Sequence, residues 1–132
     1  MNVQELQILK LVNDERLRAG APPLQFAPRL SIAARMHSTD MAIHGYIGHD
    51  GPAGDTPADR ARRAGITYQE LGETLYADDG SDLAGLPART VRAWLASPAH
   101  RANLLSPRFQ VSAVGIGRSS QGNFYITEDF IR

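Results

Sequence analysis

The first candidates for chemistry are two histidines, each of which lies in a segment that contains glycine or proline. His49 lies in the loop Gly48–Gly51, and loops on a rigid scaffold carry many of the binding groups in proteins. His100 follows Ser97 and Pro98 in the first turn of a predicted helix, where the positive end of the helix dipole disfavours a protonated imidazole. A neutral imidazole accepts a hydrogen bond or ligates a metal ion. We therefore expect both histidines to contribute to a functional site.

Glu73 is the carboxylate that fits beside them. It stands between Gly72 and Thr74 at the end of an apolar stretch. A carboxylate in this position can orient an imidazole, act as a general base or merely end a strand, and the spacing does not choose among these roles. The histidines and Glu73 are remote in sequence, so only the tertiary fold can gather them. The chain has no cysteine and no serine in a recognisable nucleophile motif.

The other histidines and one further carboxylate favour structural interpretations. His37 falls on the apolar face of a predicted helix, which predicts a buried ring satisfied by one hydrogen bond. His44 lies in the last turn of that helix, where a cation suits the negative end of the dipole. Glu128 interrupts the apolar face of the last strand, so it needs a partner if buried. Structural pairing of Glu128, for example with an arginine, is favoured over a role in a cleft.

Composition limits the classes of function. The 132 residues carry 14 basic and 14 acidic side chains, and no basic stripe indicates nucleic-acid binding. The densest basic cluster, Arg60 with Arg62 and Arg63, is interpreted as a solvated helix face because acidic residues adjoin it. No apolar run reaches the roughly 18 residues of a membrane span. Met1 precedes a polar amphipathic segment, from which we expect no signal peptide.

The elements that must position these residues are five helices and a late hairpin. Apolar periodicity predicts a first helix over Val3–Arg18, with an apolar stripe at Val3, Leu6, Leu9 and Val12. Cap residues, prolines and glycines delimit four further helices. Those helices are expected from Pro28 to about His44, from Pro57 to Gly65, over Pro87–Ala96, and from Pro98 onward.

Strand patterns occupy the remainder of the chain. A run from Ile66 to Tyr76 is strand-like, and we expect Gly72-Glu73 to interrupt it. The segments Val111–Gly117 and Phe124–Ile131 flank a turn, as in a hairpin. Helices followed by a hairpin predict an α+β domain with an antiparallel sheet covered by helices.

Several ordered motifs together resemble bacterial members of the CAP superfamily (cysteine-rich secretory proteins, antigen 5, pathogenesis-related 1). Any one motif is weak, but the ordered set is specific and spans nearly the whole chain. The matching segments are Leu11–Gly20, Pro23-Leu24, Ala34–Ser38, Asp40-Met41, Gly48–Gly51, Gly54–Pro57 with Arg60, Gly72–Thr74 and Trp94–Leu105. The resemblance implies one CAP domain over residues 1–132, a three-layer α-β-α sandwich with a cleft over the sheet, and an extracellular or cell-envelope location.

The resemblance also implies a set of cleft residues. In the wider superfamily the cleft carries two histidines and two glutamates, which bind zinc or other divalent ions in some members. His49 and His100 match the histidines, and Glu73 matches the glutamate of a Gly-Glu-Asn motif whose asparagine is here a threonine. The second glutamate has no match, because Ser97 stands at its place; Glu128 is a candidate for the missing carboxylate.

Three hypotheses about function follow. The first is a binding module whose cleft receives a small ligand, a lipid or a cell-envelope component. The second is a structural or interaction domain in which the His–Glu–His group organises the cleft through hydrogen bonds. The third is a metal-dependent hydrolase, in which His49 and His100 hold Zn²⁺ or another divalent ion and Glu73 is the base.

Overall fold

The computed structural model describes every residue from Met1 to Arg132. It contains five helices and four strands, and no helix is long and apolar enough to cross a bilayer. In chain order the elements are α1 Val3–Arg18, β1 Gln25–Phe26, α2 Pro28–His44, α3 Pro57–Arg63, β2 Leu71–Asp78, α4 Leu86–Ala96, α5 Pro98–Leu105, β3 Val111–Arg118 and β4 Phe124–Ile131.

The strands form one sheet in the order β1-β3-β4-β2. The three long strands pair antiparallel, whereas the two-residue β1, which the sequence pattern did not predict, pairs parallel with β3. α2 packs on one face, with α3 beside it. α1, α4 and α5 enclose the main apolar core on the other face. The predicted three-layer sandwich is confirmed.

α2 approaches the sheet closely because β3 has glycines beneath it. A Cβ atom on Gly115 would lie 2.2 Å from the backbone nitrogen of Arg35, and one on Gly117 would lie 2.5 Å from the carbonyl oxygen of Ser38. The hydroxyl of Ser38 donates to the carbonyl of Gly115 at 2.8 Å. This contact fixes the height of α2 above the sheet and with it the position of His37.

Local signals predicted the helix ends well. Thr56 caps α3 in a reciprocal capping box with Asp59. Gly45 ends α2 in the left-handed conformation, with φ of 67°, which glycine adopts without steric cost. These two ends delimit the loop that carries His49.

The predicted apolar stripe of α1 is partly wrong. Leu9 and Val12 are buried, but Val3 is 62% exposed and Leu6 is 50% exposed. Two charged residues of α1 are buried instead. The carboxylate of Glu5 accepts from the backbone nitrogen of Ile116 at 2.9 Å and binds Arg35. The guanidinium of Arg16 donates to the carbonyls of Pro22, Leu104, Ser106 and Phe109.

β2 is continuous, so the expected interruption at Gly72-Glu73 is wrong. Its pairing with β4 runs without a break from Leu71 opposite Ile131 to Asp78 opposite Phe124. A Cβ atom on Gly72 would lie 2.8 Å from the ring of Phe109. The glycine therefore makes room for a core aromatic side chain and does not end the strand.

β2 is an edge strand, and side chains cover two of its carbonyl groups. The indole nitrogen of Trp94 donates to the carbonyl of Leu75 at 2.9 Å. The amide of Asn103 donates to the carbonyl of Glu73 at 3.1 Å. The first bond anchors α4 to the edge of the sheet, and the second anchors α5 beside Glu73.

Candidate functional site

Glu73 forms the centre of the site. It lies in β2 directly opposite Asp129 of β4, and its side chain is only 3% exposed. The Nε2 atom of His37, on α2, lies 4.0 Å from its Oε1 atom. Glu73 therefore lies on the face of the sheet that α2 covers, beside a polar cleft.

His49 reaches Glu73 from the loop between α2 and α3. Its Nδ1 atom lies 2.8 Å from Oε1 of Glu73, and the side chain is 53% exposed. The hydrogen bond that His49 donates to Glu73 raises the pKa of His49, and the partial burial of the ring opposes this only in part. Glu73 thus holds the imidazole in one orientation and favours its protonated form.

Arg60 binds the other oxygen of Glu73. Its Nη2 atom lies 3.0 Å from Oε2 of Glu73 and 2.7 Å from the carbonyl oxygen of His49, while Nη1 lies 2.9 Å from Asp55. The expectation of a solvated face holds for Arg62 and is wrong for Arg60, which is 4% exposed. Arg60 belongs to the residues that match the family, but this role was not predicted, because both the carbonyl and Glu73 come from other elements.

Asp129 completes the group around Glu73. Burial alone would raise the pKa of Glu73, but hydrogen bonds from His49 and Asp129 and the charge of Arg60 outweigh it, so that pKa is lowered. Burial raises the pKa of Asp129, and the neighbouring charge of Glu73 raises it further. The opposite shifts favour the ionised form of Glu73 and the protonated form of Asp129.

His100 lies on α5 at the other side of the cleft. It is half-buried. Burial lowers its pKa, and so does the charge of His49, whose ring is near enough to act on it. Asn103, one turn later on α5, donates to the backbone of Glu73. The fold therefore brings His49 to Glu73 and His100 near enough to His49 for the two charges to interact, with the pKa of one imidazole raised and that of the other lowered.

Glu128 does not join this group. Ser97 stays a predicted cleft residue; it is half-buried immediately before α5, and its side chain makes no capping hydrogen bond. Glu128 is fully buried among the core side chains on the opposite face of the sheet, where Ser112 donates to its carboxyl group at 2.8 Å. Burial raises the pKa of Glu128 to about 8, although the charge of Arg16 opposes this. The structural interpretation of Glu128 applies, and the carboxyl group in the cleft is that of Asp129.

The remaining histidines occupy the places that the sequence predicted. His37 is buried, with one hydrogen bond of 2.7 Å from its Nε2 atom to the carbonyl oxygen of Gly48. That bond also holds the loop of His49, which sequence reasoning missed. His44 is exposed at the end of α2, where its Nδ1 atom lies 3.0 Å from Asp40.

The donor set of the cleft does not match a catalytic zinc site. Such sites use three protein ligands and keep one position for water. The cleft offers two imidazoles, and no group of three or more His, Asp or Glu side chains is arranged to hold a metal ion. Both oxygens of Glu73 are engaged, by His49 and by Arg60. We therefore derive no chemical step through a metal.

Comparisons with known proteins identify the family. Over 131 residues the chain is 33% identical to the uncharacterized protein YkwD of Bacillus subtilis, covering 99% of this chain and 48% of YkwD. It superimposes with a TM-score of 0.80 and 32% identity on an extracellular protein of Bacillus anthracis containing an SCP domain, covering 98% of this chain and 40% of that one.

An outer surface protein of Borrelia burgdorferi shares the fold, with a TM-score of 0.81 at 18% identity over 95% of this chain and 89% of that one. The chain thus spans less than half the length of the two Bacillus relatives. The model of the cysteine-rich secretory protein family matches residues 9–130. The chain belongs to this family, the CAP family.

Proposed function

We propose that the domain is an extracellular binding module whose cleft receives an acidic group of a small ligand, a lipid or a cell-envelope component. The supporting observation is the bond between His49 and Glu73, at 2.8 Å. It occupies one ring nitrogen and leaves the other on the exposed side of the ring. Because the pKa of His49 is raised, this outward nitrogen donates a hydrogen bond under mildly acidic conditions.

Glu73 is suited to orienting His49 and not to accepting a proton. A general base works best when its pKa lies near the working pH, whereas the pKa of Glu73 is lowered. His49 and Arg60 already engage both of its oxygens. The arrangement therefore favours recognition over hydrolysis.

The resemblance to the extracellular Bacillus anthracis protein supports the location. A domain outside the cell meets lipids and wall polymers that carry phosphate and carboxylate groups. Burial lowers the pKa of His100, which favours its neutral form, and a neutral imidazole can accept a hydrogen bond from a hydroxyl of the same ligand.

Co-sedimentation tests the proposal with two probes, vesicles containing phosphatidylglycerol and a purified bacterial cell-wall fraction. We expect binding to at least one probe, stronger at about pH 6 than at about pH 8, because an imidazole with a pKa above its usual value of about 6.5 is protonated at the lower pH. Vesicles of phosphatidylcholine alone should not bind.

Histidine variants locate the binding. His49→Gln and His100→Ala should weaken it, whereas His44→Ala, which removes an exposed histidine outside the cleft, should not. No binding to either probe at either pH would contradict the proposal and favour the structural hypothesis. Zinc binding of the purified domain by calorimetry, lost in His49→Gln, would favour the hydrolase hypothesis instead.

A further inference from the structure

Asn103 of α5 connects the two imidazoles of the site through one residue of β2. Its amide donates to the carbonyl oxygen of Glu73 at 3.1 Å, and the carboxylate of the same Glu73 accepts from Nδ1 of His49 at 2.8 Å. His100 lies three residues before Asn103 on α5, and residues at this spacing are neighbours on the surface of a helix. Glu73 thus contacts His49 through its side chain and the helix of His100 through its main chain.

Gly72 leaves room for this amide beside the strand. A Cβ atom on Gly72 would lie 3.1 Å from Oδ1 of Asn103. At that distance the amide would have to give way, so a side chain here would compete with the hydrogen bond to the neighbouring carbonyl. The glycine before Glu73 therefore allows Asn103 to reach β2.

Few other polar contacts hold α5 in place. Ser97 makes no side-chain capping bond at its start. The guanidinium of Arg16 binds the carbonyl of Leu104 at its far end, but Arg16 comes from α1. The bond of Asn103 is the one hydrogen bond between α5 and β2, so it is the polar contact that relates His100 to the strand of Glu73.

The electrostatic interaction between the two imidazoles depends on their separation. Burial lowers the pKa of His100, and the charge of His49 lowers it further. The charges of Glu73, Arg60 and Asp50 act on His49 itself. Because the energy between two charges falls as they move apart, the effect of His49 on His100 reports how closely α5 holds the two rings.

We propose that Asn103 is a positioning residue, which holds α5 against β2 so that His100 stays at a fixed separation from His49. The inference deepens the proposed function and rests on it, because a fixed separation allows both rings to contact one ligand. An acidic group bound to His49 and a hydroxyl bound to His100 must together span that separation. Asn103 thereby determines which ligands of this class fit the cleft.

Nuclear magnetic resonance titration of the histidines tests the role of Asn103 without any ligand. In the parent protein, His49→Gln removes the charge near His100, so the pKa of His100 should rise. In an Asn103→Ala background the same change should produce a smaller rise, because α5 is no longer tied to β2. Alanine has the highest helix propensity, so α5 itself should stay helical. Asn103→Leu, which keeps the bulk of the side chain but has no donor, should give the same result.

Ala102→Ser is the matched control, because Ala102 is the exposed neighbour of Asn103 on the same helix. In this background the rise should equal that of the parent protein. The pKa of His49 should stay raised in Asn103→Ala, since His49 binds the carboxylate of Glu73 and Asn103 binds its carbonyl.

Three results would overturn the proposal. An equal rise with and without Asn103 would show that its amide does not set the separation, and an equally reduced rise in Ala102→Ser would show that any change in α5 has this effect. A fall in the pKa of His49 in Asn103→Ala would mean that the amide acts on Glu73 and not on α5. No ligand enters the measurement, so a failure of the co-sedimentation probes would contradict the proposed function and leave this result unchanged.

Discussion

Glu128 and Asp129 are neighbours in β4 that serve opposite faces of the sheet. Alternation along a strand turns one toward the apolar core and the other toward the cleft. Burial raises the pKa of both. Each has one buried oxygen without a partner, Oε2 of Glu128 and Oδ1 of Asp129. Asp129, however, adjoins Glu73 and, through it, Arg60 and His49, whereas Glu128 has Ser112 as its one hydrogen-bond partner. A buried carboxyl group with a raised pKa thus helps to organise a site on one face of the sheet and lowers the stability of the fold on the other.

The largest effect should come from Arg60→Ala, which disrupts the cleft face. The change leaves Glu73 buried without its cationic partner, and breaking a buried ion pair in this way costs about 3–5 kcal/mol. Urea unfolding measures the loss. Arg62→Ala, two residues along the same helix but exposed, should change the free energy of unfolding by less than about 0.5 kcal/mol. Equal losses in both variants would contradict the assigned role of Arg60.

Glu128→Gln tests the core face through pH dependence. With a pKa of about 8 in the folded state, against about 4.3 in the unfolded chain, Glu128 binds more protons when folded across this interval. The free energy of unfolding therefore falls as pH rises from about 4 to about 8. Near pH 7, about 2.7 units above the unfolded-state pKa, this lowers the free energy of unfolding by about 4 kcal/mol relative to its value below pH 4.

Urea unfolding at several pH values measures this slope. The amide cannot ionise, so Glu128→Gln should flatten the slope, with the remainder due to Asp129. Glu70→Gln, at an exposed carboxylate with a lowered pKa, should not flatten it. An unchanged slope in Glu128→Gln would mean that Glu128 is ionised in the folded protein.

Titration of His49 tests whether the two faces of the sheet are electrostatically independent. Glu73→Gln removes the carboxylate that raises the pKa of His49, so we expect that pKa to fall. Glu128→Gln should leave it unchanged, because Glu128 lies across the sheet. Proton nuclear magnetic resonance of the imidazole resolves both. A similar fall in the two variants would show that the faces are electrostatically coupled.

The smallest effect is expected at Ser97. Its side chain makes no capping bond, so Ser97→Ala should change the free energy of unfolding by less than about 0.5 kcal/mol. Thr56→Ala, which removes the capping hydrogen bond of α3, should cost about 1 kcal/mol. Urea unfolding distinguishes the two. A cost at Ser97 as large as that at Thr56 would contradict the assignment.

The sequence predicted what short-range chemistry determines. Helix ends depend on contacts within a few residues, so their positions could be predicted from the sequence. The residues that mark them are Thr56 with Asp59, Gly45 and the prolines. The buried side of α2 also followed from its periodicity. The resemblance to a family gave the cleft residues His49, Glu73 and His100, which no local rule could gather.

Burial of charged residues could not be predicted in the same way. Arg16, Arg60 and Glu5 are buried because carbonyls, a carboxylate or an amide from distant elements meet them. Their own neighbours in sequence look like those of solvated residues. Asp129 was missed for a related reason: alternation along β4 separates it from Glu128, but which face holds the cleft depends on how the helices pack.

The capped edge of β2 has a consequence for contacts between this domain and other chains. An unpaired strand edge is a template on which another chain can add, which leads to aggregation. Trp94 and Asn103 occupy two carbonyl groups of that edge, and the second is the carbonyl of Glu73 itself. The cleft can therefore remain accessible to ligands, while the backbone beside it offers few unpaired groups with which a strand of another chain could pair.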